Sequence, residues 1–431
     1  MSRAIVISID SLFTEDIKYL NNLPNFKKIL ENSSIVKNVN CIYPTLTYPC
    51  HTSIITGVYP DKHKISHNEK FQPYSEVNDW YWYSEDIKVD TIIDIAKRNN
   101  IKTSTILWPV TGGCVSDYNI AEIWTKEKND NPIDVFTKSS TKELINTIYP
   151  KYSHIIKWNT QPYLDEFGMC CAEDIIVTYK PELMLIHLAY LDHTRHKYGL
   201  FNEYVENSFI KYDEWIGRLI NSLENAGVYE ETNFIILGDH GQIGVKKLIS
   251  PNVILKNKGF IDIDENGKLI DYKAICHSAG ISTHIMVKDK NYIDEVYKII
   301  LEMSENKELG IQYIFTKDEC KKFHNLDCEA EFVIEGLDGV AFSNDITGDI
   351  IKSIDCSDYK YSVATHGHLP YKGYKPPFIA KGPDIKENII IDGANLIDEA
   401  PTIMKLFNIE MENIDGKAID ILKEIDYEFA R

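Results

Sequence analysis

The chain is organised around one stretch near its N-terminus, Tyr43-Pro44-Thr45-Leu46-Thr47-Tyr48-Pro49-Cys50-His51, which continues through Thr56-Gly57 to His67-Asn68. Pro49 fits the first position of a helix, where a missing N–H costs nothing, and Gly57 is a natural stop. Thr47 then lies at or just before the helix N-terminus, where unsatisfied backbone N–H groups attract anions, phosphate above all. A lone Thr at such a position is more often an ordinary N-cap, so the case for an anion site depends on residues further along the chain.

Composition describes the class of protein. The 431 residues are 44% hydrophobic and 26% charged, which is typical of a soluble globular protein with one large core or two smaller ones. The formal charge of −19 argues against a nucleic-acid polymer or an anionic membrane surface as a partner. It fits a protein that concentrates carboxylates around cations, although a solvated acidic surface is the commoner cause.

Cysteine usage predicts the compartment. The nine cysteines are an odd number without metal-knuckle spacing, and the adjacent pair Cys170-Cys171 fits a buried helix better than a disulfide. We therefore expect a reducing, cytoplasmic location. The apolar run after Arg3 is too short for a signal sequence, and no run reaches the length of a membrane span. The sequence does not indicate an oligomeric state.

Strand-like and helix-like segments alternate along most of the chain. Buried β-branched runs at 3–9, 103–107, 183–188 and 233–237 predict strands, and the apolar spacing over 202–226 predicts the longest helix. This alternation indicates an α/β fold with a mostly parallel sheet. From about 250 to 357 the texture changes to short strands and turns, which predicts an inserted α+β cap between two parts of one catalytic core, 1–249 and 358–431.

Acidic residues follow three of the predicted strands, at Asp10, Asp192 and Asp239. The carboxyl ends of strands form the functional edge of an α/β sheet, so these side chains should converge. Converged carboxylates repel one another unless cations neutralise them.

Histidines accompany these aspartates: His196 and His240 follow two of them, and His366 begins a late loop. Each feature alone is weak, because an Asp after a strand is usually a turn residue. Together they supply ligands for two divalent metal ions, and imidazole with carboxylate suits zinc, with other transition metals also suitable.

At this point the residues resemble the type I phosphodiesterase/nucleotide pyrophosphatase family of the alkaline phosphatase superfamily. The resembling segments are Ser8-Ile9-Asp10-Ser11, Pro44 to His51, Gly57 to Asn68, Trp108-Pro109, Asp192 to Gly199, Gly238 to Gly241, and His366-Gly367 with Gly382-Pro383. Their order and spacing agree with the family over most of the chain. The resemblance implies an alkaline-phosphatase-like core and a hydrolase acting on small phosphodiesters or nucleotides.

The resemblance also implies roles for single residues. One metal ion, most simply Zn²⁺ with Mn²⁺ or Co²⁺ as alternatives, would be held by Asp192, His196 and His366. A second would be held by Asp10, Asp239, His240 and the nucleophile Thr47. Asn68 would donate to a phosphate oxygen, and Tyr48 would lie against the leaving side of the substrate. Metal coordination would activate the Thr47 hydroxyl and lead to a phospho-threonine intermediate.

Substrate contacts are less determined. The aromatic run Trp80 to Tyr83 could be core packing, whereas the resemblance suggests that it lines the cleft; Trp82 and Trp108 are the candidates for substrate binding. The chain departs from the family pattern at Cys50, Arg195 and His368, which leaves the substrate preference open.

Two alternatives remain at this stage. A phosphomonoesterase or phosphonate hydrolase of the same superfamily would need added positive charge, for which Lys62, Lys64 and Arg195 are the nearest candidates. A sulfatase is disfavoured because the stretch around Cys50 lacks the Cys-x-Pro-x-Arg setting. A catalytically inactive binding protein on this fold is the second alternative, and the retained ligand positions argue against it.

Overall fold

We describe a computed structural model of the chain over residues 2–126, 131–158, 160–354 and 362–424. The strands are β1 (Arg3–Ile9), β2 (Ser34–Lys37), β3 (Thr103–Ile106), β4 (Tyr118–Ile120), β5 (Leu183–Leu188), β6 (Thr232–Leu237), β7 (Ile243–Gly244), β8 (Lys247–Ile249), β9 (Ile261–Ile263), β10 (Leu269–Tyr272), β11 (Ala274–Ser278), β12 (Ser282–Val287), β13 (Ile311–Thr316), β14 (Phe332–Gly336), β15 (Val340–Phe342), β16 (Ile351–Lys352), β17 (Ala364–Thr365), β18 (Phe378–Lys381) and β19 (Ile390–Asp392).

The helices are α1 (Ile17–Leu20), α2 (Pro24–Leu30), α3 (Thr47–Thr56), α4 (Pro60–His63), α5 (Ile92–Arg98), α6 (Pro132–Ser139), α7 (Lys142–Thr147), α8 (Tyr149–Tyr152), α9 (Tyr163–Tyr179), α10 (Tyr190–Tyr198), α11 (Glu203–Ala226), α12 (Pro251–Asn257), α13 (Ile293–Glu305), α14 (Lys317–His324) and α15 (Glu399–Lys405). Within the described ranges, no helix is both long enough and apolar enough to cross a membrane.

The central sheet carries the order β19-β2-β18-β6-β1-β5-β3-β4. Its pairs are parallel except those of β18, which runs antiparallel to both β2 and β6. The predicted α/β architecture with a mostly parallel sheet is confirmed. Because side chains alternate along β1, Ile5, Ile7 and Ile9 pack into one core with α9 and α11, while Ala4 and Val6 pack into another with α3, α5 and α15. Helices therefore cover both faces of the sheet.

Local signals place the helix ends well. In α11 the Asn202 side chain caps the backbone N–H groups of Tyr204 and Val205, and Gly227 ends the helix in the left-handed region with φ of 70°. The prediction for Pro49 was wrong by two positions. Helix α3 begins at Thr47, which makes Pro49 its third residue. The first four N–H groups of a helix lack internal partners, so a proline is tolerated there too.

The segment after β6 forms smaller sheets. β11, β12, β14 and β13 make a four-stranded antiparallel sheet, and β8 pairs with both β15 and β16. β8 lies just before residue 250, so the small sheets begin slightly earlier than the predicted insert. The predicted end of the insert at Ser357 lies outside the described residues. The cysteines within the described residues are free thiols.

A buried ion pair joins these small sheets to the rest of the chain. Glu335 on β14 accepts hydrogen bonds from Lys372 Nζ at 3.0 Å, Leu369 N at 3.1 Å and Tyr43 Oη at 3.1 Å. Burial raises the pKa of Glu335 to about 7, although Lys372 opposes the shift. The folded protein therefore keeps a proton on this carboxyl at pH values where the unfolded chain has released it.

This shift predicts how stability depends on pH. Between about pH 4.5 and 7 the folded state binds more protons at Glu335 than the unfolded state, so its contribution to stability falls as pH rises. In the wild-type protein this fall in the free energy of unfolding should amount to roughly 2–4 kcal/mol. We expect Glu335→Gln to lack it. Urea unfolding at pH 4.5 to 8 measures the difference. The Glu335→Gln/Lys372→Met variant is the control that leaves no buried cation unpaired; an identical slope in all three proteins would contradict the prediction.

Candidate active site

The site forms where β1 and β6 end. These strands are parallel neighbours in the sheet, so the residues that follow them meet at one edge. Asp10 directly follows β1, and Asp239-His240 follow β6 after one glycine. All three side chains are buried. The backbone N–H of Ser11 donates to Asp239 Oδ1 at 3.0 Å and fixes that carboxylate.

Asp192 and His196 reach the same edge from a helix, which differs from the predicted strand end. β5 stops at Leu188, and α10 carries both residues. Their spacing of four places them on one face of α10, with Asp192 Oδ2 3.2 Å from His196 Nε2. Gln242 Nε2 donates to the other oxygen, Asp192 Oδ1, at 2.5 Å.

His366 enters from the short strand β17. The next residue, Gly367, has φ of +83°, and a Cβ there would lie 1.7 Å from the carbonyl oxygen of Ala279. Only glycine tolerates both the left-handed conformation and this approach. The His366 ring lies 4.2 Å from the His240 ring and 5.1 Å from the His196 ring, measured between centroids.

Three oxygen atoms surround one nitrogen of His240. Its Nε2 lies 3.1 Å from Thr47 Oγ1, 3.4 Å from Asp10 Oδ1 and 3.2 Å from Asp239 Oδ2. A single ring nitrogen cannot hydrogen-bond well to all three oxygens. Ligand atoms about 2.0–2.1 Å from a tetrahedral zinc ion lie roughly 3.4 Å from one another. The three distances to His240 Nε2 are therefore close to the spacing between two ligand atoms of one metal ion.

Two groups of ligand atoms within the described residues are compact enough to hold a metal ion. Asp192, His196 and His366 form one, and Asp10, Asp192 and His240 form the other, with all ligand atoms in each group within 4.8 Å of one another. Asp192 belongs to both groups, which the sequence did not indicate. Five of the predicted ligand residues are in these groups; Asp239 and Thr47 are in neither, although Asp239 Oδ2 and Thr47 Oγ1 lie 3.2 and 3.1 Å from His240 Nε2.

The protonation of these groups also fits bound cations. Burial, reinforced by Asp239 and Asp192, raises the pKa of Asp10 well above its ordinary value, and burial raises the pKa of Asp239. Burial would do the same to Asp192, but His196 and His366 hold the pKa of Asp192 well below its ordinary value. Neither ring nitrogen of His366 hydrogen-bonds to any described residue, and burial lowers the pKa of this ring well below its usual value. A neutral buried imidazole without a hydrogen bond has a nitrogen lone pair that can bind a metal ion.

Thr47 and its neighbours begin helix α3 at this cluster. Thr47 is the first residue of the helix. The backbone N–H of Tyr48 donates to Asn68 Oδ1 at 2.9 Å, which fixes the Asn68 amide and leaves its NH₂ group for another acceptor. Asp10, Thr47, Tyr48 and Asn68 line one cavity of about 680 Å³ together with Asp192, His196 and His366.

The aromatic residues that line the cavity differ from the predicted ones. Trp80 and Trp124 line the cavity with Tyr48, and their rings contact each other edge to face at 4.8 Å. Trp82 and Trp108 lie outside the cavity lining and are buried, Trp82 against Trp124 and Trp108 against His51.

The cations considered from sequence are engaged elsewhere. Arg195 is fully buried, donates to Asp16 Oδ2 at 2.7 Å and stacks on Phe13 at 3.5 Å. Lys62 pairs with Asp415, and Lys64 pairs with Asp327. Among the described residues that line the cavity, the exposed Lys157 is the single lysine, and there is no arginine. Cys50 and His368 are buried outside this lining.

Among the polar residues of the cavity lining that sequence reasoning missed are His187 and Glu122. His187 is the polar residue in the otherwise apolar strand β5, and that exception was the available signal. Glu122 had none, because it follows an unremarkable short strand.

Comparison with known proteins decides the family. The model of the "Type I phosphodiesterase / nucleotide pyrophosphatase" family matches residues 4–369. The chain belongs to this family. The resemblance seen in the sequence is therefore confirmed.

Relatives agree with this assignment, and a solved structure shares the fold. An uncharacterised pyrophosphatase/phosphodiesterase of Schizosaccharomyces pombe is 26% identical over 56% of this chain and 44% of its own length. Human ectonucleotide pyrophosphatase/phosphodiesterase family member 1 is 26% identical over 54% of this chain and 23% of its own length. The chain thus matches less than half the length of these relatives. Murine ectonucleotide pyrophosphatase/phosphodiesterase 5 superposes with a TM-score of 0.69 at 17% identity over 98% of this chain and all of that chain, which supports the fold.

Proposed function

We propose that this chain is a metal-dependent phosphodiesterase/nucleotide pyrophosphatase that hydrolyses small phosphodiesters or pyrophosphate bonds through a phospho-threonine intermediate. One observation carries the proposal: Thr47 Oγ1 lies 3.1 Å from His240 Nε2, at the start of a helix and beside two overlapping groups of metal ligands. A hydroxyl at this position can attack a phosphorus atom held over the helix N-terminus.

The residues of the site have separable tasks in this reaction. Asp192, His196 and His366 would hold one Zn²⁺ ion, and Asp10, Asp239, His240 and Thr47 would hold a second, to which Asp192 would also contribute because it belongs to both groups of ligand atoms. Mn²⁺ or Co²⁺ would be substitutes. When bound, these ions supply charge that lowers the pKa of the attacking hydroxyl and stabilises the leaving oxygen.

The chain itself positions the phosphate. The backbone N–H of Thr47 at the start of α3 and the NH₂ group of Asn68 would donate to the oxygens that gain charge in the transition state. The next N–H groups of the helix are not available, because Pro49 has none and those of Tyr48 and Cys50 donate to Asn68 Oδ1 and to the Leu46 carbonyl oxygen. Tyr48 and Trp80 line the same cavity and offer flat apolar surface to the group beyond the phosphate. The Asn68 amide is fixed before substrate arrives, because the Tyr48 N–H already donates to Asn68 Oδ1.

A nucleotide is the substrate class that the comparisons support. One relative is named bis(5'-adenosyl)-triphosphatase, from Pongo abelii, at 25% identity over 61% of this chain. An inactive form of murine ectonucleotide pyrophosphatase/phosphodiesterase 5, of the same fold, is solved in complex with AMP. The 680 Å³ cavity with its aromatic wall is large enough for such a ligand.

Diesters should be preferred to monoesters. A monoester brings nearly two negative charges, and sites that bind such dianions use a fixed cation, often a bidentate arginine. Here Arg195 is paired with Asp16, and Glu69, Glu122 and Asp165 add carboxylates to the cavity lining. A diester presents a single charge and suits this lining better.

The test is a comparison of matched chromogenic substrates. Zinc-loaded protein should cleave bis(4-nitrophenyl) phosphate and the 4-nitrophenyl ester of thymidine 5'-monophosphate faster than 4-nitrophenyl phosphate, and kcat/KM is the quantity compared. Faster hydrolysis of the monoester would favour the phosphomonoesterase alternative, and absence of hydrolysis of all three would favour the inactive binding protein.

Removing the Asn68 donor should slow the reaction without loss of the metal site. Asn68→Ala is expected to lower kcat by about 10²–10³, as loss of one transition-state donor commonly does. Stopped-flow measurement with the thymidine ester checks this value. Asn68→Asp is the matched control of the same size: it keeps the acceptor for Tyr48 N but replaces the donor by a charge, and it should be at least as slow. A fully active Asn68→Ala would contradict the assigned role.

We also propose that residues 250–357 form a cap on the core formed by 1–249 and 358–431. Two contacts support this: His67 Nε2 lies 3.0 Å from the Ser278 carbonyl oxygen, and Ala279 packs directly against Gly367 beside His366. The cap would then close over Asn68 and the His366 loop. The cytoplasmic location expected from cysteine usage stays a prediction.

A further inference from the structure

A buried histidine lies directly behind Asp10. His187 is on β5, opposite Ser8 in the parallel pairing with β1, and only 2% of its surface is exposed. Its Nε2 lies 3.2 Å from Asp10 Oδ2. The other carboxylate oxygen, Oδ1, lies 3.4 Å from His240 Nε2. The two oxygens of Asp10 therefore have different neighbours.

The opposite edge of the His187 ring is held as firmly. Nδ1 lies 3.1 Å from the Leu107 carbonyl oxygen and 3.2 Å from Glu122 Oε1. Carbonyl and carboxylate oxygens are hydrogen-bond acceptors, so a ring N–H of His187 meets an acceptor at either end of the ring. The ring of His51 packs edge-on against it at 4.5 Å. A ring with acceptors at both ends and a ring against its side has little freedom to rotate.

Glu122 is buried as well, with 8% of its surface exposed. A carboxylate in such a place is costly unless a donor or cation faces it, and His187 is its ion-pair partner. The connection runs from Glu122 through His187 to Asp10, that is, from the loop after β4 through β5 to the end of β1. None of the three residues is adjacent in sequence.

We propose that His187 is a positioning residue that fixes the Asp10 carboxylate for metal binding, and that Glu122 fixes His187 in turn. By holding Oδ2, the imidazole turns Oδ1 toward His240 and Thr47 before any ion arrives. Metal-ligating side chains depend on such outer partners, whose loss commonly weakens metal binding 10- to 100-fold. The inference deepens the proposed function and rests on the metal site assigned there.

The test is a zinc titration of chelator-stripped protein, which needs no substrate. We expect His187→Phe to weaken the binding of one of two zinc ions about 10- to 100-fold, because phenylalanine keeps the ring size but donates nothing to Asp10. His187→Gln should recover part of the affinity, since its amide can still donate. Cobalt-substituted protein gives a second readout: the visible absorption band of one ion should change shape in His187→Phe. At saturating zinc, kcat should fall while KM for the thymidine ester stays within about twofold.

Two further variants keep the test sharp. His154 is exposed, so His154→Phe is the matched control and should leave both zinc affinities unchanged. If His187→Phe does not fold, two other variants replace it in the titration. One is Glu122→Gln, and the other is the double variant Glu122→Gln/His187→Phe, which removes the whole buried ion pair. Glu122→Gln alone should weaken the same zinc ion by a smaller factor.

Unchanged zinc affinity and cobalt absorption in His187→Phe or, if that variant is unfolded, in the double variant would overturn the proposal. A fall in kcat with normal metal binding would also overturn it, because it would assign His187 to the substrate. If wild-type protein binds two zinc ions but cleaves none of the diesters, the proposed function fails while this inference stands.

Discussion

Thr47→Ala is expected to lower kcat on the thymidine ester by roughly four to six orders of magnitude, the loss typical of removing a nucleophile. The Thr47 hydroxyl lies 3.1 Å from His240 Nε2. We expect this oxygen to form the covalent bond to phosphorus. Its loss removes the covalent step and leaves only the binding contributions of the site. Steady-state kinetics at saturating zinc gives the ratio.

The fold should survive this change, because Thr47 contributes a methyl group and one hydroxyl to a helix whose ten residues are all buried by their neighbours. Thr47→Ser is the matched control: it keeps the oxygen and loses the methyl group that restricts its rotamer, so we expect partial activity. Intact-protein mass spectrometry of acid-quenched wild type should detect phosphate on Thr47. Near-normal turnover by Thr47→Ala would contradict the covalent mechanism.

Removal of divalent ions should lower turnover by at least about 10³, because each such interaction contributes several kcal/mol to transition-state stabilisation. Without cations, the Asp10, Asp192 and Asp239 carboxylates repel one another and an incoming phosphate. Zinc should restore activity, and manganese or cobalt should restore it in part. Dialysis against a chelator, followed by metal add-back and elemental analysis, measures both activity and stoichiometry.

The shared position of Asp192 makes this prediction more specific. Because Asp192 lies in both groups of ligand atoms, Asp192→Asn should reduce the bound zinc toward zero per chain, whereas His196→Ala should remove about one ion. Asp61→Asn, at an acidic residue outside the cavity lining, is the control. Equal zinc content in Asp192→Asn and His196→Ala would show that Asp192 serves one ion alone.

The pH dependence of metal binding follows from the same charges. Protons compete with the ions for Asp10 and Asp239, whose pKa values are raised chiefly by burial. Zinc affinity should therefore increase with pH until these two carboxyls have lost their protons.

Much of the fold was predictable because its signals are local. β1, β5 and β6 were predictable from β-branched or apolar runs of strand length, and Asn202 and Gly227 lie at the ends of α11. The prediction that Asp192 ends a strand was wrong, because the chain turns into α10 directly after β5; the spacing of four between Asp192 and His196 was a helical signal that could have been used.

The sequence by itself determined the alternation of strands and helices, the residues that follow β1 and β6, and the family. These depend on hydrophobic periodicity, turn residues and motif order, which are properties of short segments. Only the tertiary structure decided that Asp192 lies in both ligand groups, that Arg195 is neutralised by Asp16, and that Trp80 rather than Trp82 faces the cavity. It also brought Glu122 and Asp10 into contact with opposite ends of the His187 ring. Such contacts join residues tens to hundreds of positions apart, and their geometry exists only once the sheet has formed and the side chains have packed.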